Sequence, residues 1–322
     1  MLPIEGSWVI LLAAGDGSRL SSLTTDKDGI SVPKQFCSLH GGASLLQDSL
    51  QRASTIVPRR RNCAVVAAQH KRWWQSQLWS LPSENIIEQP SNRGTAHGVL
   101  LALMHILERD PTANVVLLPC DHYVYDEPVL AEAIRAGLQQ VKRDAEHPVL
   151  LGIEPEQPDP GLGYIVPDSA RGGTIAPVAQ FVEKPSREQA LRLMEQGALW
   201  NAFIVVSNIQ ALLRLFKARM ADLVEEMQAV VRCALRDASD DVLADLYRRL
   251  PVLDFSRHIL QDQENLLRVL AVPVCGWSDL GTPDRLGATL DRLPYEQGRG
   301  AQQSATIHLN LAAQHAARQQ AM

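Results

Sequence analysis

Residues 8–20 read WVILLAAGDGSRL, and after a polar insertion the chain continues as PKQF at residues 33–36. An unbroken apolar run from Trp8 to Ala14, ended by two glycines two apart, predicts a strand buried on both faces that feeds a loop, with a helix or turn beyond it. Such a loop suits a phosphate. Gly15 and Gly17 can take φ > 0 and bring bare backbone N–H groups close to an anion, and a helical turn after them adds its positive end. Arg19 and Lys34 then supply fixed charge. Taken alone, a G-x-G is equally an ordinary tight turn, so its meaning depends on what surrounds it.

Working outward, Ser44–Ser54 has leucines at helical spacing and Cys63–Ala68 is a short β-branched run, so the first 68 residues predict a strand, helix, strand unit. Lys71–Leu81, with Trp73, Trp74 and Trp79, predicts a helix whose tryptophans pack on the sheet or on a second copy of the chain. Ile86 and Ile87 mark a brief strand, Gly98–Asp110 a helix, and NVVLLP a buried strand that stops at Cys120-Asp121-His122. A helix over 126–144 and a strand over 149–153 complete the first half. This alternation predicts an α/β fold with a Rossmann-like mixed, mostly parallel sheet and helices on both faces, whose ligands sit at the carboxyl ends of the strands. The second half is richer in Pro, Gly and β-formers. It predicts a hairpin excursion over 154–185, a helix capped by Ser186, a strand over 200–207, helices over 209–236 and 240–250, a strand over 266–273 and a helix begun by Pro283.

Composition narrows the function. With 322 residues, 46% hydrophobic and 21% charged, the chain is an ordinary globular one, and a net charge of −5 argues against broad nucleic-acid binding. No stretch approaches the roughly 18–20 apolar residues of a membrane span, and MLPIEGSW lacks the order of a signal peptide, so a cytoplasmic location is expected. The five cysteines (Cys37, Cys63, Cys120, Cys233, Cys275) are scattered without a C-x-x-C, which favours small apolar residues over disulfides or zinc.

AAGDGSRL, PKQF, EQPSNRGTA, LLPCDH, GLGYI, FVEKP, WNAF, DFSRHIL and WSDLG follow one another in an order that resembles the sugar-phosphate nucleotidyltransferases, most of all the mannose-1-phosphate guanylyltransferases, from about Trp8 to Leu286. The resemblance implies the nucleotide-diphospho-sugar transferase fold, with a nucleotidyltransferase domain over 1–294 and a C-terminal tail, a loose or frayed helix, over 295–322. It implies transfer of a nucleoside monophosphate from a nucleoside triphosphate, GTP, to a sugar 1-phosphate, mannose 1-phosphate, with release of pyrophosphate and with Mg²⁺ as cofactor. A second copy of the chain is the one macromolecular partner left open.

That chemistry needs no general base, because the nucleophile is already a phosphate oxyanion; it needs positioning and charge neutralisation. By the resemblance Arg19, Lys34 and Asp121 are catalytic. The nucleotide falls to Ala13, Ala14, Gly15, Gly17, Ser18, Arg19, Lys34, Gln89, Asn92, Arg93, Gly94, Thr95 and Asp121. Gly163, Glu183, Lys184 and Asn201 take the sugar phosphate, and Asp121 and Asp279 the metal. Magnesium takes few protein oxygens and shares phosphates and water, which suits an Asp at the end of a buried strand. His122 is expected to be structural or a donor behind Asp121. Singly, each residue also has a plainer reading: Lys34 as a solvated lysine, Asp121 as a turn former, the Gly94 loop as a helix cap.

Four departures limit the match. The insertion SSLTTDKDGIS is polar, Phe203 stands where the family commonly has Gly, DFSRHIL is less acidic than its counterpart, and the chain after Leu293 is too short for the isomerase or β-helix domain of larger relatives. Three rivals remain. A polyol-phosphate cytidylyltransferase shares the loop but not FVEKP and WSDLG; a non-catalytic sugar-nucleotide sensor is disfavoured by the two Asp residues; a dinucleotide oxidoreductase needs a third glycine.

Overall fold

The computed structural model describes residues 4–25, 29–39, 41–168, 174–237, 241–292 and 307–308. The run from Trp8 forms β1 (Ser7–Leu12), with β2 (Cys37–Ser38) after the PKQF turn. Then come α1 (Leu45–Ile56), β3 (Asn62–Ala67), α2 (Lys71–Gln77), β4 (Ile86–Gln89), α3 (Thr95–Leu107), β5 (Asn114–Pro119), α4 (Glu127–Arg143) and β6 (Val149–Ile153). The second half holds β7 (Gly163–Pro167), β8 (Ile175–Glu183), α5 (Arg187–Glu195), β9 (Leu199–Asn208), α6 (Ile209–Asp237), α7 (Asp241–Arg249), β10 (Arg268–Ala271), α8 (Pro283–Asp291) and β11 (Ile307–His308).

Local chemistry sets several boundaries. Ser44 and Gln47 form a reciprocal capping box at the start of α1, and Asp126, Ser186 and Thr282 cap α4, α5 and α8 through their side chains. Each such cap satisfies an N–H that the helix itself leaves unpaired. α6 is two helical runs joined at Met220, whose φ of −154° and ψ of 59° break the helix.

The main sheet has nine strands in the order β4-β3-β1-β5-β9-β6-β10-β8-β7. β4, β3, β1 and β5 are parallel, and by their pairings β8 and β9 run against the others, so the sheet is mixed as expected. β7 also pairs with β9, so β9, β6, β10, β8 and β7 form a closed ring of pairings. The hairpin β7–β8 is therefore part of the sheet. Alternate residues of β1 serve two cores. Trp8 and Ile10 join the layer beneath α3, α6 and α7; Val9 and Leu11 join the layer beneath α1, α2 and α4. Both faces of the centre are thus dry, which is why β1, β3 and β5 read as continuous apolar runs.

Trp74 is buried and Trp73 stacks on Phe36, whereas Trp79 stands 80% exposed, so within the chain packing is seen for two of the three tryptophans. Cys37, Cys63, Cys120 and Cys275 are buried and none of the five cysteines is in a disulfide; burial pushes the Cys37 and Cys63 thiols up to about 12. Among the described residues no helix is long and apolar enough to cross a membrane. Of the tail over 295–322, only Ile307–His308 is described; it is an extended pair parallel to β2 where a helix was expected, and the remainder of that expectation lies outside the described residues.

Candidate active site

β1 ends at Leu12, and the loop that follows is held by polar contacts from three directions. The Ala13 N–H donates to the Val65 carbonyl at 2.9 Å. Gln35, 2% exposed, sends Nε2 to the carbonyls of Ala13 (3.0 Å) and Gly15 (2.7 Å). Gly17 takes φ +63°, and a Cβ there would lie 3.0 Å from the Lys34 backbone N, so glycine is required by close approach as well as by conformation. Gly15 does not enter the left-handed region, contrary to expectation. Nor does a true helix follow. Ser18–Leu20 and Lys34–Phe36 are single 3₁₀ turns, too short to present a macrodipole, so an anion here meets individual N–H groups and side-chain cations. The Ser18 side chain lies outside the described part. Ala14, Gly15 and Arg19 line a cleft of about 370 Å³; Arg19 is exposed and has no ion pair among the described residues.

Asp16, unassigned by the sequence reading, latches this loop. Its carboxylate accepts from Asn92 Nδ2 at 2.9 Å and Gln69 Nε2 at 3.1 Å, and lies 3.4 Å from His70 Nε2. Burial lowers the His70 pKa against the pull of Asp16, so neutral donors surround the carboxylate. Removing the acid also removes a repulsion toward phosphate, but Asp16 is half exposed and that repulsion is screened. The latch should dominate: Asp16→Ala is expected to raise the KM for the triphosphate about fivefold to tenfold, with Asp16→Asn close to wild type. Unchanged kinetics in the alanine variant would show that the latch is idle.

β5 delivers Asp121 to the same cleft. Paired backbone hydrogen bonds between Tyr123 and Ser278, with Tyr125 and Asp126 N–H groups on the Cys275 carbonyl, fasten this segment to WSDLG. Lys34 Nζ bridges the two, 3.2 Å from Asp121 Oδ2 and 2.5 Å from the Asp279 carbonyl oxygen. Burial alone would raise the Asp121 carboxyl, but the adjacent Lys34 ammonium and His122 outweigh it and hold the group below the usual carboxylate range. His122 is pushed down by burial, against the pull of Asp121; its ring packs edge-on against Trp277 at 5.2 Å. The Asp279 carboxylate faces elsewhere. Oδ1 lies 3.1 Å from Arg285 Nε and accepts the Gly281 N–H, and Arg285 also binds Asp159 at 2.8 Å. Lys34 and the two Asp residues are thus brought together, with Asp121 open to the cleft and Asp279 engaged. Among the described residues no three His, Cys, Asp or Glu side chains converge as a ready metal site.

Across the cleft lies the loop after β4. Gln89 is buried, receives the Tyr247 hydroxyl at 3.2 Å, and abuts Gly98. Gly94 takes φ +88°, and a Cβ there would fall 2.2 Å from the Leu253 carbonyl oxygen. Leu253 N–H donates to the Arg93 carbonyl, Ala96 N–H to the Leu253 carbonyl, and Phe255 N–H to Thr95 Oγ1. The loop and segment 251–255 therefore form one wall, with Gln89, Asn92, Gly94, Thr95, Val252 and Asp254 on the cleft. Arg93 is placed otherwise than expected: its guanidinium donates to the carbonyls of Tyr247 (2.9 Å) and Arg248 (3.4 Å), capping the C-terminal end of α7.

Gly163, Glu183 and Asn201 cluster, but none of them lines this cleft. The space a side chain at 163 would need is taken by the Glu183 carboxylate, 2.6 Å from that Cβ position. Asn201 is committed internally, Oδ1 accepting from Phe203 N–H and Nδ2 donating to Ser256 Oγ. Lys184 pairs with Glu183 at 3.1 Å. Left-handed backbone occurs at Lys184 (φ +52°), Phe203 (φ +58°) and Leu280 (φ +49°), each within two residues of an expected site residue. Such conformations cost about 1–3 kcal/mol apiece and persist where the surroundings enforce them.

Burial raises the Glu183 pKa, Lys184 opposes, and Asp254 adds to the rise. As pH falls, Glu183 therefore takes up its proton while an ordinary glutamate is still ionised. If its carboxylate serves the sugar, the KM for sugar 1-phosphate should climb on that acidic side, and Asp254→Asn should move the climb to lower pH. A pH profile of KM checks both; a limb unmoved in the variant would detach Glu183 from sugar binding.

Comparison with known proteins finds relatives over most of the chain. The family model for nucleotidyl transferases matches residues 8–293. A mannose-1-phosphate guanylyltransferase of Escherichia coli is 30% identical over 284 residues, covering 85% of this chain and 58% of its own. The alginate biosynthesis protein AlgA of Pseudomonas putida is 29% identical over 280 residues, covering 84% of this chain and 56% of its own. The chain thus spans a little over half the length of these relatives. Among solved structures, a mannose-1-phosphate geranyltransferase from Thermus thermophilus superposes with TM-score 0.75 at 26% identity, covering 92% of this chain and 83% of that one.

Proposed function

The chain belongs to the nucleotidyl transferase family, and we propose that it joins GTP and mannose 1-phosphate to give GDP-mannose and pyrophosphate. The observation that carries this reading is the Lys34 ammonium, held between Asp121 and the Asp279 carbonyl and beside the glycine loop. A sugar phosphate oxygen attacks the α-phosphorus, the bond from that phosphorus to the β-phosphate bridging oxygen breaks, and pyrophosphate departs with the electron pair. No proton need move. The protein's task is to align two anions and to neutralise the charge that develops between them.

Lys34 and Arg19 take the triphosphate charge, the 13–17 loop offers its N–H groups, and Gln89, Asn92, Gly94 and Thr95 with segment 251–255 receive the base. Arg93 serves this wall from behind. Gly163, Glu183, Lys184 and Asn201 form the sugar side, with Asn201 acting through Phe203 and Ser256. Residues 8–293 act as the nucleotidyltransferase unit.

Members of this family generally use a divalent metal, and the donors here suit a hard cation such as Mg²⁺. Asp121 is ionised and faces the cleft, so it is the primary ligand we propose. Asp279 is the second, and it reaches an ion only by yielding Arg285. When bound, the ion neutralises phosphate charge. The test is pyrophosphate release with magnesium over a grid of five nucleoside triphosphates and several sugar 1-phosphates. The expected maximum is GTP with mannose 1-phosphate. A maximum elsewhere would keep the reaction and replace the substrate, and silence across the grid in protein that binds nucleotide would favour a sensor.

A further inference from the structure

Phe203 is a bulky residue at φ +58°, a backbone conformation that favours glycine, and its backbone N–H is tied there by Asn201. The side chain packs only partly against the core. Ala202 and Ile204, its neighbours, are the buried residues, while Phe203 is only half-buried and lines the cleft with Gly94, Thr95, Asp121 and His122. Its ring rests edge-on against Phe255 at 5.8 Å, and the Phe255 N–H is bound by Thr95 at the base wall. The Phe203 backbone N–H is bound by Asn201, whose Cβ lies 3.3 Å from a Cβ built on Gly163 beside the Glu183 carboxylate, so the backbone of residue 203 is tied to the sugar-side cluster while its ring lines the cleft.

Building on the reaction proposed above, we propose that Phe203 sets sugar selectivity, walling the cleft so that hexoses with hydroxyl-sized substituents are accepted and N-acylated hexosamines are excluded. The strain at 203 is then the cost of keeping a ring where a glycine would leave a void. The ring acts by exclusion, so its removal should widen the range of ligands.

The test is titration calorimetry of the full chain with GDP-mannose and with GDP-N-acetylglucosamine, in wild type, Phe203→Gly and Phe203→Leu. Glycine suits the backbone at this φ, and leucine keeps bulk, so the pair separates the ring's volume from any loss of fold. Wild type is expected to favour GDP-mannose by about tenfold or more, Phe203→Leu to retain that preference, and Phe203→Gly to erode it at least about tenfold. An absent preference in wild type, or one that is the same in Phe203→Gly, would overturn the role of Phe203 while leaving the reaction intact. Failure of wild type to bind either nucleotide sugar would overturn the reaction and this inference together.

Discussion

Lys34→Ala is expected to lower kcat/KM by about a hundredfold to a thousandfold, with most of the loss in kcat. The ammonium is only 11% exposed, so its charge acts through protein rather than through bulk water, where it would be far weaker. It is also held in advance by Asp121 and the Asp279 carbonyl, so little reorganisation is needed as charge develops at phosphorus. Lys34→Arg should not restore the rate, because a planar fork cannot occupy the place of a compact ammonium between those two oxygens. Steady-state kinetics beside thermal unfolding distinguish lost chemistry from lost fold. A Lys34→Ala enzyme within about threefold of wild type would remove the residue from the transition state.

Asp121→Ala is expected to be as damaging or worse, by about a thousandfold in kcat, and to abolish the response to magnesium. The carboxylate follows β5 in a part-exposed position and among the described residues pairs with Lys34 and His122, so unfolding should shift by only a few degrees. Asp279→Ala provides the contrast. It strips Arg285 of one partner and the Gly281 turn of its acceptor, so both activity and stability should fall. A magnesium titration of the three proteins decides the matter: an Asp121→Ala enzyme that still saturates with metal at wild-type concentration would contradict the assignment.

The parts of the fold that were legible in sequence were those where one local rule settles the outcome. β1 is apolar on both faces because both faces are covered, and α1 announces itself through leucines at helical spacing that the structure buries. That the glycine loop and Asp121 meet at one cleft was legible for a similar reason, since a strand end and a close backbone approach leave marks in the chain itself. Arg93 was not. Whether an arginine beside a glycine turns toward a ligand or toward a helix end depends on α7, some 154 residues away. The hydrogen bonds of Asn201 were hidden likewise, because its amide holds Phe203 and Ser256, and the left-handed φ at 203 is not written in the sequence. Asp16 and Gln35 act by long-range hydrogen bonds to backbone and side chains. The wall built by Val252 and Asp254 exists only because Gly94 meets Leu253 edge to edge.

The most direct test of the central claim follows oxygen. Mannose 1-phosphate carrying ¹⁸O in its three non-bridging phosphate oxygens is incubated with GTP, magnesium and the protein, and the products are read by ³¹P NMR. Attack of the sugar phosphate on the α-phosphorus predicts GDP-mannose with all the label on its β-phosphorus, the bridge to the α-phosphorus included, and pyrophosphate with none. Label in pyrophosphate, or GTP consumed without a labelled nucleotide sugar, would contradict the account.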